Sequence, residues 1–269
     1  MTRIAVCGAA GRMGKTILEL CSDTEEVSVG AAIEHNSSAL LGMDAGEVAG
    51  IDKLNIKIND DIASVTENFD VLIDFTLADA VVNNVELCLE SGKKIVIGTT
   101  GLNAEQKFVL EEASREIAIV FTPNMSIGVN LLFRLVELTA KAVGDSTDIE
   151  IIEAHHNQKK DAPSGTAVRI GEIIADTLGR DLKECAVYGR EGITDVRDPK
   201  AIGFETIRAG DIVGEHTAMF AFAGELIEIT HKASSRKTFA SGAIRAAQWL
   251  MARDSGMFDM QDVLGLRVV

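Results

Sequence analysis

Over the first half of the chain, short runs that are apolar almost throughout alternate with longer stretches of helical period. Residues 3–7 (RIAVC), 27–33 (VSVGAAI), 70–75 (DVLIDF), 94–97 (KIVI) and 118–121 (AIVF) lack the in-and-out alternation of a half-exposed strand. They therefore predict strands buried on both faces. Between them the spacing predicts helices over 13–21, 78–90 and 103–116, the last with an apolar stripe at Phe108, Val109 and Ala113. Strand and helix in alternation imply a parallel sheet covered on both faces, a doubly wound, Rossmann-like α/β domain.

The pattern changes after Pro123. Residues 128–143 predict a long helix, apolar at Leu131, Leu132, Leu135, Val136 and Leu138, and 148–154 (DIEIIEA) predict a strand. Residues 203–208, 216–222 and 225–232 alternate apolar with polar positions, as antiparallel strands do, with a hairpin turn at Ala223-Gly224. A closing helix over 239–253 carries the single tryptophan, Trp249. The charged segment 180–201 reads as a long irregular loop, a candidate mobile lid.

Composition narrows the class. A chain of 269 residues can bury real cores without disulfides or metal staples. Cys7, Cys21, Cys88 and Cys185 lie far apart, and Cys7 and Cys88 sit in apolar runs, which predicts inert free thiols in a reducing compartment. The opening MTRIAVCGAAGRMG lacks the apolar run of a signal peptide, and no stretch reaches about 18 uninterrupted apolar residues, so the expectation is a soluble cytoplasmic protein. A formal charge of -15 argues against nucleic acid or an anionic membrane as partner. An anionic ligand would have to be held by a local patch of cations.

Candidate chemistry falls in two places. Gly8-Ala9-Ala10-Gly11-Arg12-Met13-Gly14 follows the first predicted strand and opens the first helix. There a dinucleotide fold needs backbone without side chains, so that a pyrophosphate can reach the helix N-terminus. Glu34, at the end of the second strand, can accept both adenosine ribose hydroxyls and favours NADH, while Arg12 and His35 are the nearby cations that could still take the 2'-phosphate of NADPH. Gly98-Thr99-Thr100 and Thr122-Pro123-Asn124-Met125 follow two further strands at their carboxyl ends, where open α/β sheets bind ligands, and Asp74-Phe75-Thr76 belongs to the same rim.

The second place is IEAHHNQKKDAPSGTA, residues 152–167. Asp161-Ala162-Pro163 breaks any helix, so His155 to Lys160 form a loop leaving a strand. Ser164 is a natural N-cap for a helix apolar at Ala167, Ile170 and Ile174, and the amides of Gly165 and Thr166 at its start suit a carboxylate. A cationic loop beside a helix N-terminus makes a two-part anion clamp, suited to a small dicarboxylate. Adjacent histidines diverge, and no further ligand completes a metal set, so no metal is expected. His231, Lys232, Arg236 and Lys237 form a second cationic group whose spacing does not decide whether it faces the same cleft.

GAAGRMG, Glu34 after a second strand, IDFT, IGTTG, FTPNMSIGVN and EAHHNQKKDAPSGTA together resemble the dihydrodipicolinate reductase family of the diaminopimelate route to lysine, over essentially the whole chain. The resemblance implies a dinucleotide domain of residues 1–126 and 237–269 and a substrate and tetramerisation domain of residues 127–236, an α+β unit with a mixed or antiparallel sheet. It implies a homotetramer in which NADH or NADPH reduces a cyclic imine dicarboxylate to tetrahydrodipicolinate. It further implies that His155 and Lys159 handle protons and that His156, Gly165 and Thr166 contact substrate carboxylates. By the same resemblance Gly8 to Met13, Glu34, Gly98 to Thr100 and Thr122 to Met125 contact the cofactor, and His35 stands where some members carry an arginine for the 2'-phosphate. Two other readings share the first domain: an NAD-dependent amino-acid or semialdehyde dehydrogenase, whose thioester form needs an activated cysteine, and a non-catalytic NADH-sensing protein, which has no need of the clamp.

Overall fold

The structure, a computed structural model, describes residues 1–235 and 237–267. The chain divides into two compact units, one of residues 1–127 and the segment from 236 onward, the other of residues 128–235.

In the first unit β1 (Thr2–Cys7) leads into α1 (Arg12–Asp23), β2 (Val27–Ile33), the short α2 (Ala45–Ala49) and β3 (Ile58–Asn59). Then follow β4 (Val71–Asp74), α3 (Ala78–Glu90), β5 (Lys94–Ile97), α4 (Ala104–Ala113) and β6 (Ala118–Phe121). In the second unit α5 (Ile127–Val143, whose first residue belongs to the first unit) precedes β7 (Asp148–His155), α6 (Gly165–Thr177), α7 (Leu182–Cys185), β8 (Ala186–Tyr188), β9 (Ile202–Arg208), β10 (Gly214–Ala221) and β11 (Leu226–Ala233). The chain returns through α8 (Lys237–Leu250), β12 (Gly256–Phe258) and α9 (Met260–Val263) to the first unit.

The first sheet is parallel throughout, in the order β3-β2-β1-β4-β5-β6-β12. Strand order reverses between β1 and β4, the switch point at which doubly wound sheets bind nucleotides. One face is covered by α1 and α8, the other by α3 and α4. Small residues at Ala240, Gly242, Ala243, Ala246 and Ala247 let α8 lie close on the sheet: a Cβ at Gly242 would sit 1.8 Å from the Met125 carbonyl oxygen. Ile4, Ile17, Leu18, Ile73, Ile95 and Ile119 are fully buried in this unit. Each contributes about 1.5–3 kcal/mol relative to exposure.

The second sheet is mixed, in the order β11-β10-β7-β9-β8. β10 runs antiparallel to both neighbours, and its hairpin with β11 turns at Gly224, as predicted. β9, predicted antiparallel, is parallel to both β7 and β8. Alternation reports only that one face is open; it carries no information on strand direction.

Other departures have similar causes. α4 stops at Ala113, and the buried partner of that residue is Leu110; Phe108 of the predicted stripe points to solvent and Val109 is half-buried. α5 carries two apolar stripes: Leu132, Val136 and Ala140 are buried, whereas Leu131, Leu135 and Leu138 are each more than 40% exposed. Residues 180–201 are not wholly irregular, since they contain α7, capped by Asp181, and β8. The stretch beyond β8 is tied down by Arg197, which donates to Glu150, Asp148 and the Ile149 and Ala201 carbonyls.

Candidate active site

The glycine turn holds its shape by close backbone packing. Gly8 sits in the left-handed region at φ +71°, and a Cβ at Gly14 would lie 2.1 Å from the Gly8 carbonyl oxygen. Neither position accepts a side chain without moving the turn. Gly11 caps α1 without a side-chain bond, and the first turn contains no acid, so the helix start offers its dipole and amides to an anion. Beside it opens a cleft of about 890 Å³ lined by Gly8, Ala10, Gly11, Glu34 and His35, and also by Asp60, Asp61, Thr76, Asn83 and Asn84. The glycine cradle and the flanking acid fit a dinucleotide. Glu34 Oε2 accepts from the Ala10 amide at 2.9 Å, which joins the turn to the end of β2.

At the carboxyl ends of β4 and β5 the fully buried Asp74 organises the rim. It accepts from Thr76 Oγ1 (2.6 Å), the Thr76 amide (2.9 Å), Thr99 Oγ1 (3.0 Å) and Asn84 Nδ2 (2.7 Å). The Thr99 hydroxyl is thus spent on protein, whereas Thr100 is exposed. Thr122 Oγ1 bonds within its own loop, accepting from the Asn124 amide at 3.4 Å; Pro123 is exposed and Met125 is in the core. Arg12 is exposed at the start of α1 and Met13 packs on the core, so neither lines the cleft; Ala9 is fully buried, its amide donating to Ile33.

In the second unit the quoted loop emerges from β7. His155 and Glu153 lie two residues apart on this strand and so share a face. His155 Nδ1 is 2.5 Å from Glu153 Oε2. The Glu153 carboxylate, 1% exposed, also accepts from both terminal nitrogens of Arg208 (2.9 and 2.8 Å) and from the Ser164 amide (3.0 Å). Burial works to raise its pKa, but these donors outweigh burial and hold it below the usual carboxylate range. Burial, opposed by Glu153, holds His155 below the usual histidine range. Ser164 caps α6 by accepting from the Ala167 amide, as predicted, and its hydroxyl meets Nε2 of the buried His216 at 2.9 Å. His216 stacks edge-on against His155 with ring centroids 5.1 Å apart. Burial drives the His216 pKa down to about 4, so the ring is neutral near pH 7.

Lys159, 22% exposed at its side chain, pairs with Asp161 at 2.9 Å; His156 is half-buried and its Nδ1 accepts from the Gln158 amide. Gly165 opens α6 at an exposed position, where a Cβ would meet nothing within 4 Å, and Thr166 follows half-buried. The second cationic group is described at three of its four positions. Lys232 pairs with Glu215, Lys237 pairs with Glu19, burial lowers the pKa of His231, and Arg236 lies outside the described residues.

The model for the dihydrodipicolinate reductase N-terminus matches residues 2–125, and that for the C-terminus of the same enzyme matches residues 128–264. The chain belongs to the dihydrodipicolinate reductase family. It is 59% identical over 267 residues, 99% of this chain and 100% of the relative, to the 4-hydroxy-tetrahydrodipicolinate reductase of Hahella chejuensis. Among solved structures, a dipicolinate-bound dihydrodipicolinate reductase from a Paenisporosarcina species superposes with a TM-score of 0.78 at 25% identity, covering 97% of this chain and 99% of that one. A Mycobacterium smegmatis amine dehydrogenase, at 13% identity and TM-score 0.60 over 100% of this chain and 97% of that one, shares the fold alone. The chain is thus an oxidoreductase of the reduction step in diaminopimelate and lysine biosynthesis, and its N-terminal domain is the family's binding domain for NADH or NADPH. No helix among the described residues is long and apolar enough to cross a membrane.

Sequence reasoning missed Asp60, Asp61, Asn83 and Asn84 of the cleft, along with Glu153, Arg208 and His216. Glu153 carried a readable signal, an acid two residues before His155 on a predicted strand. Arg208 and His216 reach the cluster only through the pairing of β9 and β10 with β7.

Proposed function

We propose that His155 is the proton donor of the family reaction, that Lys159 is the cation that steadies developing charge, and that His156, Gly165 and Thr166 receive the substrate carboxylates. The observation that carries this reading is the Glu153 carboxylate, which ties the His155 ring and the Ser164 amide, and so the acid and the start of α6, to one group. The reduced nicotinamide supplies the hydride. Addition to a conjugated imine leaves electron density that a cation must stabilise and a positioned acid must quench. A histidine exchanges protons near neutral pH, a lysine stays charged, and a helix N-terminus takes a carboxylate. The backbone of Gly8 to Met13, Glu34 and His35, with the rims Gly98 to Thr100 and Thr122 to Met125, hold the cofactor in this reading.

Asp60 and Asp61 join Glu34 at the cleft, and among the described residues no lysine or arginine lines it. An acidic adenosine end repels a 2'-phosphate, so NADH is the preferred reductant. The exposed stripe Leu131, Leu135 and Leu138, with Leu226 and Ile227 of β11, supports a homotetramer in which these faces are covered. Buried free thiols fit work in the cytoplasm.

A coupled assay tests the reading: the condensation product of pyruvate and aspartate semialdehyde is supplied, and oxidation of NADH and of NADPH is followed by absorbance. Turnover lost in Lys159→Ala and lowered about 10²–10⁴-fold in His155→Ala, with NADH binding intact in both, is expected. Loss of cofactor affinity in His155→Ala would overturn the role of that residue. A rate with NADPH equal to or above that with NADH would overturn the cofactor reading.

A further inference from the structure

We infer that Glu153 is a positioning residue serving two parts of the site at once: it selects the His155 tautomer in which Nε2 exchanges the proton, and it anchors the helix start at Ser164. This rests on the reading of His155 as the proton donor. Glu153 is not placed to touch substrate, since its carboxylate is buried and surrounded by protein donors. Thr206 Oγ1 adds a long donor at 3.4 Å. An ionised carboxylate only accepts hydrogen bonds, and Arg208 keeps this one ionised. Nδ1 of His155 must therefore carry a hydrogen and donate it. That leaves Nε2 as the one ring atom from which a proton can depart. Gly214 on β10 leaves room at this atom, because a Cβ there would sit 3.1 Å from it.

The same carboxylate oxygen that receives the Ser164 amide receives Nη2 of Arg208, which also donates to the Asp161 carbonyl at 2.6 Å. Ser164 is thus held at its amide by Glu153 and at its hydroxyl by His216. A shift of Glu153 would move the acid and the carboxylate-binding helix start together.

The charged and titratable groups facing His155 are Glu153 on its own strand, Arg208 at the end of β9, His216 on β10, and Lys159 with its partner Asp161 in the loop. Glu153 favours the imidazolium. Burial, Lys159 and Arg208 disfavour it, and neutral His216 adds no charge near pH 7. A general acid must be protonated to act, so kcat falls as pH rises through the His155 pKa. Removing Glu153 and removing Arg208 should move that limb in opposite directions.

The test is the pH profile of kcat in Glu153→Gln and Arg208→Gln, each checked for unchanged NADH affinity. In Glu153→Gln the limb moves to lower pH, and kcat near neutrality falls on the order of 10²-fold; in Arg208→Gln the limb moves to higher pH. Activity losses in both variants with the limb at its wild-type position would reduce Glu153 to a structural role and overturn the inference. If either variant does not fold, ¹⁵N-histidine NMR of the wild-type protein decides: the neutral His155 ring carries its hydrogen on Nδ1, and the opposite tautomer overturns the inference. His155→Ala separates the two claims. Full turnover there removes His155 as the acid, whereas an inactive His155→Ala with an unmoved limb in Glu153→Gln removes Glu153 alone.

Discussion

Glycine to alanine at positions 14 and 165 is the same chemical change at two helix starts, and the surroundings predict opposite results. At Gly14 the added carbon would lie 2.1 Å from the Gly8 oxygen, 2.7 Å from the Ala9 Cα and 2.8 Å from the Gly8 carbonyl carbon, all backbone atoms. The closest of these is about 1 Å inside any tolerable contact, so the turn must open by that amount. Overpacking of this kind costs about 1–3 kcal/mol. It also displaces the α1 amides by a distance large against hydrogen-bond tolerance, so NADH affinity falls on the order of 10-fold or more. At Gly165 nothing lies within 4 Å of the added carbon, and alanine favours helix by about 0.5–1 kcal/mol. Gly165→Ala therefore melts at or slightly above the wild-type temperature and binds NADH unchanged, yet its KM for the dicarboxylate rises, because the methyl enters the space proposed for a carboxylate. Calorimetric melting, NADH titration by fluorescence and steady-state kinetics on both variants read all three quantities. A Gly14→Ala protein with wild-type melting and NADH affinity would refute the cradle, and an unchanged KM in Gly165→Ala would refute the carboxylate site.

His216, with a folded-state pKa of about 4 against about 6.5 unfolded, makes stability depend on pH. Between these values the unfolded chain binds a proton that the folded one excludes, so stability is complete above pH 6.5 and lost as pH falls toward 4, by about 3 kcal/mol. Chemical denaturation at pH 7 and pH 4.5 should show that loss, and His216→Gln should flatten it; an equal loss in the variant would place its origin elsewhere. Burial pushes the Cys21 thiol up to about 12 and raises Cys7 and Cys88 as well. Burial raises Cys185 too, but that thiol is only half-buried, so a disulfide reagent at pH 7 should reach and modify it first and the other three only on unfolding. Rapid reaction of two or more native thiols would contradict the buried placement.

The doubly wound unit was legible because its strands are apolar on both faces and its turn residues are glycines at fixed offsets from a strand. β3 and β12, two and three residues long, were not, since such strands are set by the neighbours they extend and carry too few positions for a period to show. Helix α5 announced its length but not its inward face, because both of its stripes are apolar. In the site, His155, Lys159 and Ser164 stood together in one motif. The group that joins two of them did not stand out, because Glu153 looked like one more polar position on an alternating strand. Its weight comes from Arg208, 55 residues away, and from burial that only the closed sheet creates.

The second unit interrupts the first between residues 127 and 236. The sheet of the first unit lacks β12, and one of its faces lacks α8, until residues 237–258 have been made. Synthesis at ~5–20 residues per second puts about 6–24 s between the start of the interruption and the emergence of α8. During that interval Ile4, Val6, Ile73 and Val96, which α8 will help to cover, wait in an incomplete half, while the inserted unit, continuous in sequence, can close on itself. On the ribosome the order of completion is therefore the reverse of the order of appearance, and the inserted unit has all of its strands and helices before the unit that flanks it does.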